Sequence, residues 1–158
     1  MTKRFLMRAQ PFVCWLIAAA IASGFAGCAG AGSGHAPPFA KTYWTLVEME
    51  GRPVPANVHR PPHVTFDQEK KRVTGYGGVN GFFGGYETSG NILRMPRLAA
   101  TRRAGPPELM DLESAFFKAL AATRSYRIAD DELELLDTDG RTIARFRAER
   151  LFPSTVEK

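Results

Sequence analysis

The chain is poor in cysteine and histidine, and its first residues carry no acid. Its 158 residues include two cysteines, Cys14 and Cys28, both ahead of the part that reads as a folded domain. A disulfide framework and a cysteine-based metal site are therefore excluded for that domain. The three histidines are His35, His59 and His63. His59 and His63 have the spacing of a metal pair on a helix, but Arg60-Pro61-Pro62 between them forbids a helix. No metal and no cofactor are expected. The glycine-dense stretch Gly75 to Tyr86 is not followed by the Gly-Lys-Ser/Thr of a phosphate loop. Asn80 stands where a dinucleotide fingerprint would need its third glycine. No serine sits in a Gly-x-Ser-x-Gly elbow. The acid pairs Glu108 with Asp111 and Asp130 with Asp131 fall at a helix start and a turn, where capping and solvation account for them. No catalytic residue is expected, and an enzyme is not the reading these residues favour.

Charge excludes a further class. The formal net charge of +5 comes from 21 basic and 16 acidic residues. Lys3, Arg4 and Arg8 precede Cys28, which leaves 18 basic against 16 acidic residues beyond it, about +2. An excess this mild is no footprint for nucleic acid.

What is present begins with an address. A short basic start leads into the uncharged apolar run Pro11 to Ala26, which ends in small residues before Cys28. This is the layout of a secretory signal, and the run is shorter than the roughly 20 residues of a membrane-spanning helix. Phe25-Ala26-Gly27-Cys28 resembles the lipobox read by lipoprotein signal peptidase, with Phe25 in the place of the usual branched aliphatic. The resemblance implies cleavage before Cys28 and lipidation of that residue. An uncleaved anchor, or an ordinary signal cut elsewhere, are the alternatives. Acyl chains on Cys28 would hold the protein to a membrane. Ala29 follows the cysteine where enterobacterial lipoproteins retained in the inner membrane have Asp, so the expected location is the outer membrane, facing the periplasm.

The expected organisation is a signal over 1–27, a flexible tether over 28–40, a domain over 41–150 and a tail over 151–158. Ala29 to about Phe39 is small and Gly/Pro-rich, too poor in apolar surface to order itself. Within the domain, strands are expected at Tyr43 to Val47, His63 to Asp67, Arg72 to Tyr76, a broken one from Ile92 to Thr101, and then Ser125 to Ile128, Leu133 to Leu136 and Thr142 to Ala148. Arg52 to Pro55 and Arg60 to Pro62 read as loop. Asp137 to Gly140 reads as a hairpin turn. The glycines of Gly75 to Tyr86 are expected to permit positive φ and to let strands bend tightly or pass close to other backbone, with Asn80 tolerating the left-handed region or bonding local backbone. One helix follows Pro106-Pro107, with Leu109, Leu112, Phe116 and Leu120 as its apolar stripe. The sum is about seven strands and one helix, an α+β, mainly β fold whose short connections require antiparallel pairing.

The region from Trp44 to Phe146 resembles the META/HslJ-like family of envelope proteins. The matching residues are Val73 to Gly75, Gly78 to Tyr86, Leu98 to Arg102, then Glu113, Phe116 and Leu120, and finally Leu133, Leu135, Gly140 and Phe146. Many members carry a cysteine before the Asn and a second after the Thr, where this chain has Val79 and Gly105. Losing both together is coherent if the two pair as a disulfide. The resemblance implies a curved antiparallel sheet closing barrel-like with one packed α-helix. It also implies a role in envelope stress or antibiotic tolerance, and it supplies no catalytic residue.

Two functions are compatible with these features. The favoured one is a non-enzymatic lipoprotein, expected as a monomer, that binds another envelope protein or lipid. Asn80, Phe82, Phe83, Tyr86, Arg102 and Arg103 are its candidate contacts, with at least two of the three aromatics expected in the core. Arg94, Arg97, Arg102 and Arg103 form the densest basic cluster, a solvated face or a contact for anionic head groups. The alternative is a carrier of a small apolar ligand or lipid inside the barrel. A cavity lined by Trp44, Phe66, Tyr86, Leu112 and Phe116 would favour the carrier, and a filled interior the binding module.

Overall fold

The computed structural model describes residues 36–55 and 58–149. The signal over 1–27, Cys28, the first part of the tether and the tail over 151–158 lie outside the described residues. Among the described residues nine strands, β1 (Tyr43–Met49), β2 (Arg52–Pro53), β3 (His63–Asp67), β4 (Arg72–Tyr76), β5 (Gly81–Ser89), β6 (Ile92–Ala100), β7 (Ser125–Ala129), β8 (Glu132–Leu136) and β9 (Thr142–Glu149), accompany one helix, α1 (Pro107–Ala122). Every pairing is antiparallel. From β1 through β3 to β9 the strands pair in succession, and β9 pairs back onto β1, so the curved sheet closes as a ring of hydrogen-bonded strands. The α+β, mainly β architecture expected from the sequence is what the chain adopts.

Alternation places the core. Trp44 and Leu46, Val64 and Phe66, Leu133 and Leu135, and Ala144 and Phe146 point inward at every second position and are buried. From α1, Phe116 and Leu120 reach the same interior, and each such side chain contributes roughly 1.5–3 kcal/mol by leaving water. The Phe116 and Phe146 rings lie 6.2 Å apart, and Phe82 meets Phe116 edge-on at 5.9 Å. Leu112, expected among the interior residues, instead lines a surface groove with Pro55, Val58, Pro106, Glu108 and Leu109. One turn further along the helix the axis has brought Phe116 over the sheet.

Two strands escape the sequence reading. Arg52-Pro53 is a short edge strand rather than loop, joined to β1 by Glu50 and Gly51 at φ 49° and 75°. Positive φ at both positions matches the tight hairpin turn whose twist suits β-strands, and proline is tolerated on an edge. The glycine-dense stretch makes the expected tight turn at residues 77–80, with Gly78 at positive φ, and its second half opens the nine-residue strand β5, which the sequence reading lacked. Its glycines answer to crowding: a β-carbon on Gly84 would lie 2.3 Å from the Arg97 carbonyl oxygen.

The ordered unit also starts before Lys41. Phe39 stacks on Phe66 at 4.2 Å and on Tyr126 at 4.4 Å, closing one end of the ring. The Phe39 carbonyl accepts the Trp44 indole N–H at 3.0 Å, and the Pro38 carbonyl accepts the Thr42 hydroxyl at 2.6 Å. A single large aromatic docked in the core suffices to order residues whose neighbours have little to bury.

Candidate functional site

Three segments converge beside α1: the turn over 77–80 between β4 and β5, the stretch over 101–106 after β6, and the first half of the helix. The turn is tight, with the Gly77 N–H donating to the Asn80 carbonyl at 2.8 Å. Gly78 sits at φ 133°, a conformation an L side chain rarely adopts. Glu113 then reaches back from α1. Its Oε2 accepts the Val79 N–H at 2.9 Å and the Asn80 N–H at 2.5 Å, while Oε1 accepts the Asn80 amide at 2.7 Å. Asn80 Oδ1 accepts the Thr101 hydroxyl and the Arg103 N–H, each at 2.7 Å, and its Nδ2 donates to the Arg103 carbonyl at 3.1 Å. Asn80 and Glu113 are 3% and 6% exposed. A buried polar pair so fully bonded pins three segments in one geometry. Asn80 therefore serves a long-range network, not its own turn.

Glu113 enters the sequence reading only as a match to the family, without a role and outside the candidate contacts. A signal existed, since position 113 lies four residues after Leu109 and three before Phe116, on the apolar stripe itself. A glutamate there calls for a buried partner.

Beside this node runs a trough between β6 and α1. One lobe, of about 610 Å³, is lined by Asn80, Thr101, Arg102, Arg103, Met110, Glu113 and the strand backbone. The other, of about 310 Å³, is lined by Met95, Pro96, Leu98, Ala100, Phe117 and Ala121. Leu98, Ala100 and Phe117 belong to both, so the space is continuous. It exists because β6 and β7 pair at Ile92 and Ser125 alone, leaving Arg94 to Ala100 without a strand partner on that side among the described residues.

Charge is unevenly used around the ring. On β8 and β9, Arg145 pairs with Glu48, Glu132 and Glu134 at 2.9, 3.5 and 3.3 Å. Arg147 pairs with Asp131 and Glu132, and Arg127 with Glu134. Arg94, Arg97, Arg102 and Arg103 are exposed and form no ion pair among the described residues.

Of the candidate contacts, Arg102 and Arg103 line the trough and Asn80 lies beneath it. Phe82 and Tyr86 are in the core, whereas Phe83 is 55% exposed on the outer face. Phe83 is therefore not brought together with the buried pair. The Tyr86 hydroxyl is buried without a hydrogen-bond partner among the described residues, and burial raises its pKa. Across β1, β3 and β4, His63 is sandwiched between Tyr43 at 4.3 Å and Tyr76 at 6.0 Å, with the Arg60 guanidinium over the Tyr76 ring. Burial pushes the His63 pKa below its ordinary value. Among the described residues no three His, Cys, Asp or Glu side chains are grouped to hold a metal ion.

A family model described as the META domain matches residues 37–150. Among solved structures, an NMR structure of a protein from Burkholderia xenovorans superposes with a TM-score of 0.59 at 22% identity, covering 71% of this chain and 84% of that one. A crystal structure of a DUF4847 family protein from Bacteroides vulgatus gives 0.52 at 17% identity, covering 69% and 93%. At such identities the likeness is one of fold. No curated protein matches the chain.

Proposed function

The chain belongs to the META domain family, and on that footing we propose that it is an exported lipoprotein whose domain binds another envelope component on its outer surface, without catalysis. In this reading the signal is cut before Cys28 and the lipid on Cys28 holds the domain at the outer membrane. By that binding the protein supports envelope integrity or stress and antibiotic tolerance. The observation that carries the reading is the filled interior: Trp44, Phe66, Phe116 and Phe146 are wholly buried against one another's neighbours in a single core. Such packing leaves the centre of the ring to side chains and weighs against a carrier, while the trough, whose arginines have no acidic partner among the described residues, lies open outside.

Two experiments test it. A photoreactive residue placed at Arg102 or at Phe83 in intact cells should capture a defined adduct, and one placed at Asp139, on an opposite turn, should not. Equal labelling at all three positions, or none, defeats the surface-binding reading. Metabolic labelling with a palmitate analogue should mark the protein and fail on Cys28→Ser; persistent labelling of that variant defeats the anchor.

A further inference from the structure

We infer that the trough between β6 and α1 docks an extended, acidic segment of a partner protein, which adds to β6 as a further strand. The inference rests on the outer-surface reading above and supplies the chemistry of the partner. The first argument is the open edge. In an antiparallel ladder, successive residues turn their N–H and C=O to opposite sides. The Thr101 N–H donates to the Gly81 carbonyl on β5 at 3.0 Å, and Phe83 lies opposite Ala99 in the same register. Ala99 therefore faces β5, and Leu98 and Ala100 turn their backbone groups into the trough. Pro96, with no N–H, ends the usable edge. From Arg97 to Ala100 it spans roughly 13 Å at about 3.3 Å per residue, room for one short strand.

The second argument is the setting of that edge. Phe117 and Ala121 of α1 form an apolar wall facing it, with Met95 and Leu98 at the strand side. An added strand would place every second side chain against this wall and the alternate ones toward solvent. The third argument is charge. Arg102 and Arg103 line the trough and Arg97 lies along β6, none with an acidic partner among the described residues. Glu113 is the acid that lines the trough, and both of its oxygens are taken by Val79 and Asn80. A partner carrying acids at alternate positions neutralises the arginines. An anionic head group would meet the same arginines but leave the Leu98 and Ala100 backbone groups unbonded, so the edge selects polypeptide.

The test uses the full chain in neutral detergent micelles and a short synthetic peptide alternating valine with glutamate. Saturable binding is expected, with slowed amide hydrogen exchange at Leu98 and Ala100. Binding should weaken at least about tenfold in Arg102→Glu/Arg103→Glu, since like charges then face each other, and be largely kept in Arg102→Lys/Arg103→Lys. Both pairs are exposed, so unchanged melting temperatures serve as the folding control. A peptide with proline in place of each valine should bind weakly or not at all. Equal binding of the proline peptide, or unslowed exchange at Leu98 and Ala100, overturns the added strand. Arginine-dependent displacement of the peptide by phosphatidylglycerol mixed into the micelles overturns it in favour of a lipid head group. A crosslink at Arg102 or Phe83 in cells alongside any of these failures leaves surface binding standing, whereas the absence of both crosslinks removes the two readings together.

Discussion

The side-chain amide of Asn80 donates to Glu113 Oε1 at 2.7 Å, across 33 residues of chain, and joins the β4–β5 turn to the helix. Replacing Glu113 by Ala would leave three N–H bonds with no acceptor: two from the backbone of Val79 and Asn80 and one of the two on the Asn80 amide, whose other bond to the Arg103 carbonyl remains. A loss of roughly 2–4 kcal/mol is expected, read as a lower urea midpoint at unchanged slope. Glu113→Gln keeps one oxygen and turns an amide group toward a donor, so it should cost about half as much. An alanine variant within about 0.5 kcal/mol of the parent would mean the pair is not a structural tie.

Val79 and Gly105, where the family resemblance places cysteines, face each other. A β-carbon on Gly105 would lie 3.4 Å from that of Val79 and 2.7 Å from its Cγ2. Gly105→Ala alone should therefore destabilise by about 1–3 kcal/mol, and Val79→Ala in the same chain should recover most of it. Val79→Cys with Gly105→Cys should form a disulfide on mild oxidation, because the separation is close to the usual Cβ range of about 3.5–4.5 Å. The oxidised variant should gain roughly 2–4 kcal/mol over its reduced form. Free thiols persisting after oxidation would show that the two segments are not held as close as this.

The family resemblance pointed to the proximity of Val79 and Gly105, whereas the tie between Asn80 and Glu113 marks where sequence reasoning stops. The helix, the hairpin turn at Gly140 and the alternating strands were legible because their causes are local: periodicity, proline, turn chemistry. β5 was not, since glycine has poor strand propensity; close passage by other backbone could be read from the glycines, but not that the neighbour of Gly84 is the Arg97 carbonyl. Asn80 read as a turn residue because its true partner is far along the chain. The arginine cluster was visible as composition. That its members lack acidic partners among the described residues while Arg145 has three depends on how the ring closes, which no spacing discloses.

His63 predicts the pH dependence. Its folded pKa lies below the unfolded value of 6.5, chiefly through burial, with the Arg60 charge acting the same way and the Pro61 carbonyl and Glu149 opposing. Below 6.5 the unfolded chain binds a proton before the folded one does, so protonation favours unfolding. Stability from this group is fully present above pH 6.5 and falls as pH drops through the folded pKa. The lowered Asp67 and Asp137 act only below about 3.8, in a separate window. Urea midpoints measured between pH 8 and 5 should fall in the parent and stay flatter in His63→Phe, which keeps the stack between Tyr43 and Tyr76. Parallel curves for the two would remove His63 as the cause.

Phe39 predicts how far the domain reaches toward its tether. Its ring covers Phe66 and Tyr126 and meets Tyr86 edge-on at 5.9 Å. Phe39→Ala should cost about 2 kcal/mol, at the low end for an aromatic because the ring is only half-buried. A second readout separates capping from general loosening. The Tyr86 hydroxyl has its pKa raised first by burial, then by Asp67 and Tyr126, and it lacks a hydrogen-bond partner among the described residues. Opening the end of the ring lets water reach it, so its titration should move down toward 10.0 in Phe39→Ala. Tyr43, whose pKa is also raised by burial but on the outer face of β1, should titrate as before. A lower melting temperature with both tyrosines unmoved would show that Phe39 contributes packing without sealing the core. Movement of Tyr86 alone would establish that the folded domain begins at the aromatic residue before Lys41, and that a chain cut at residue 41 would lack its own lid.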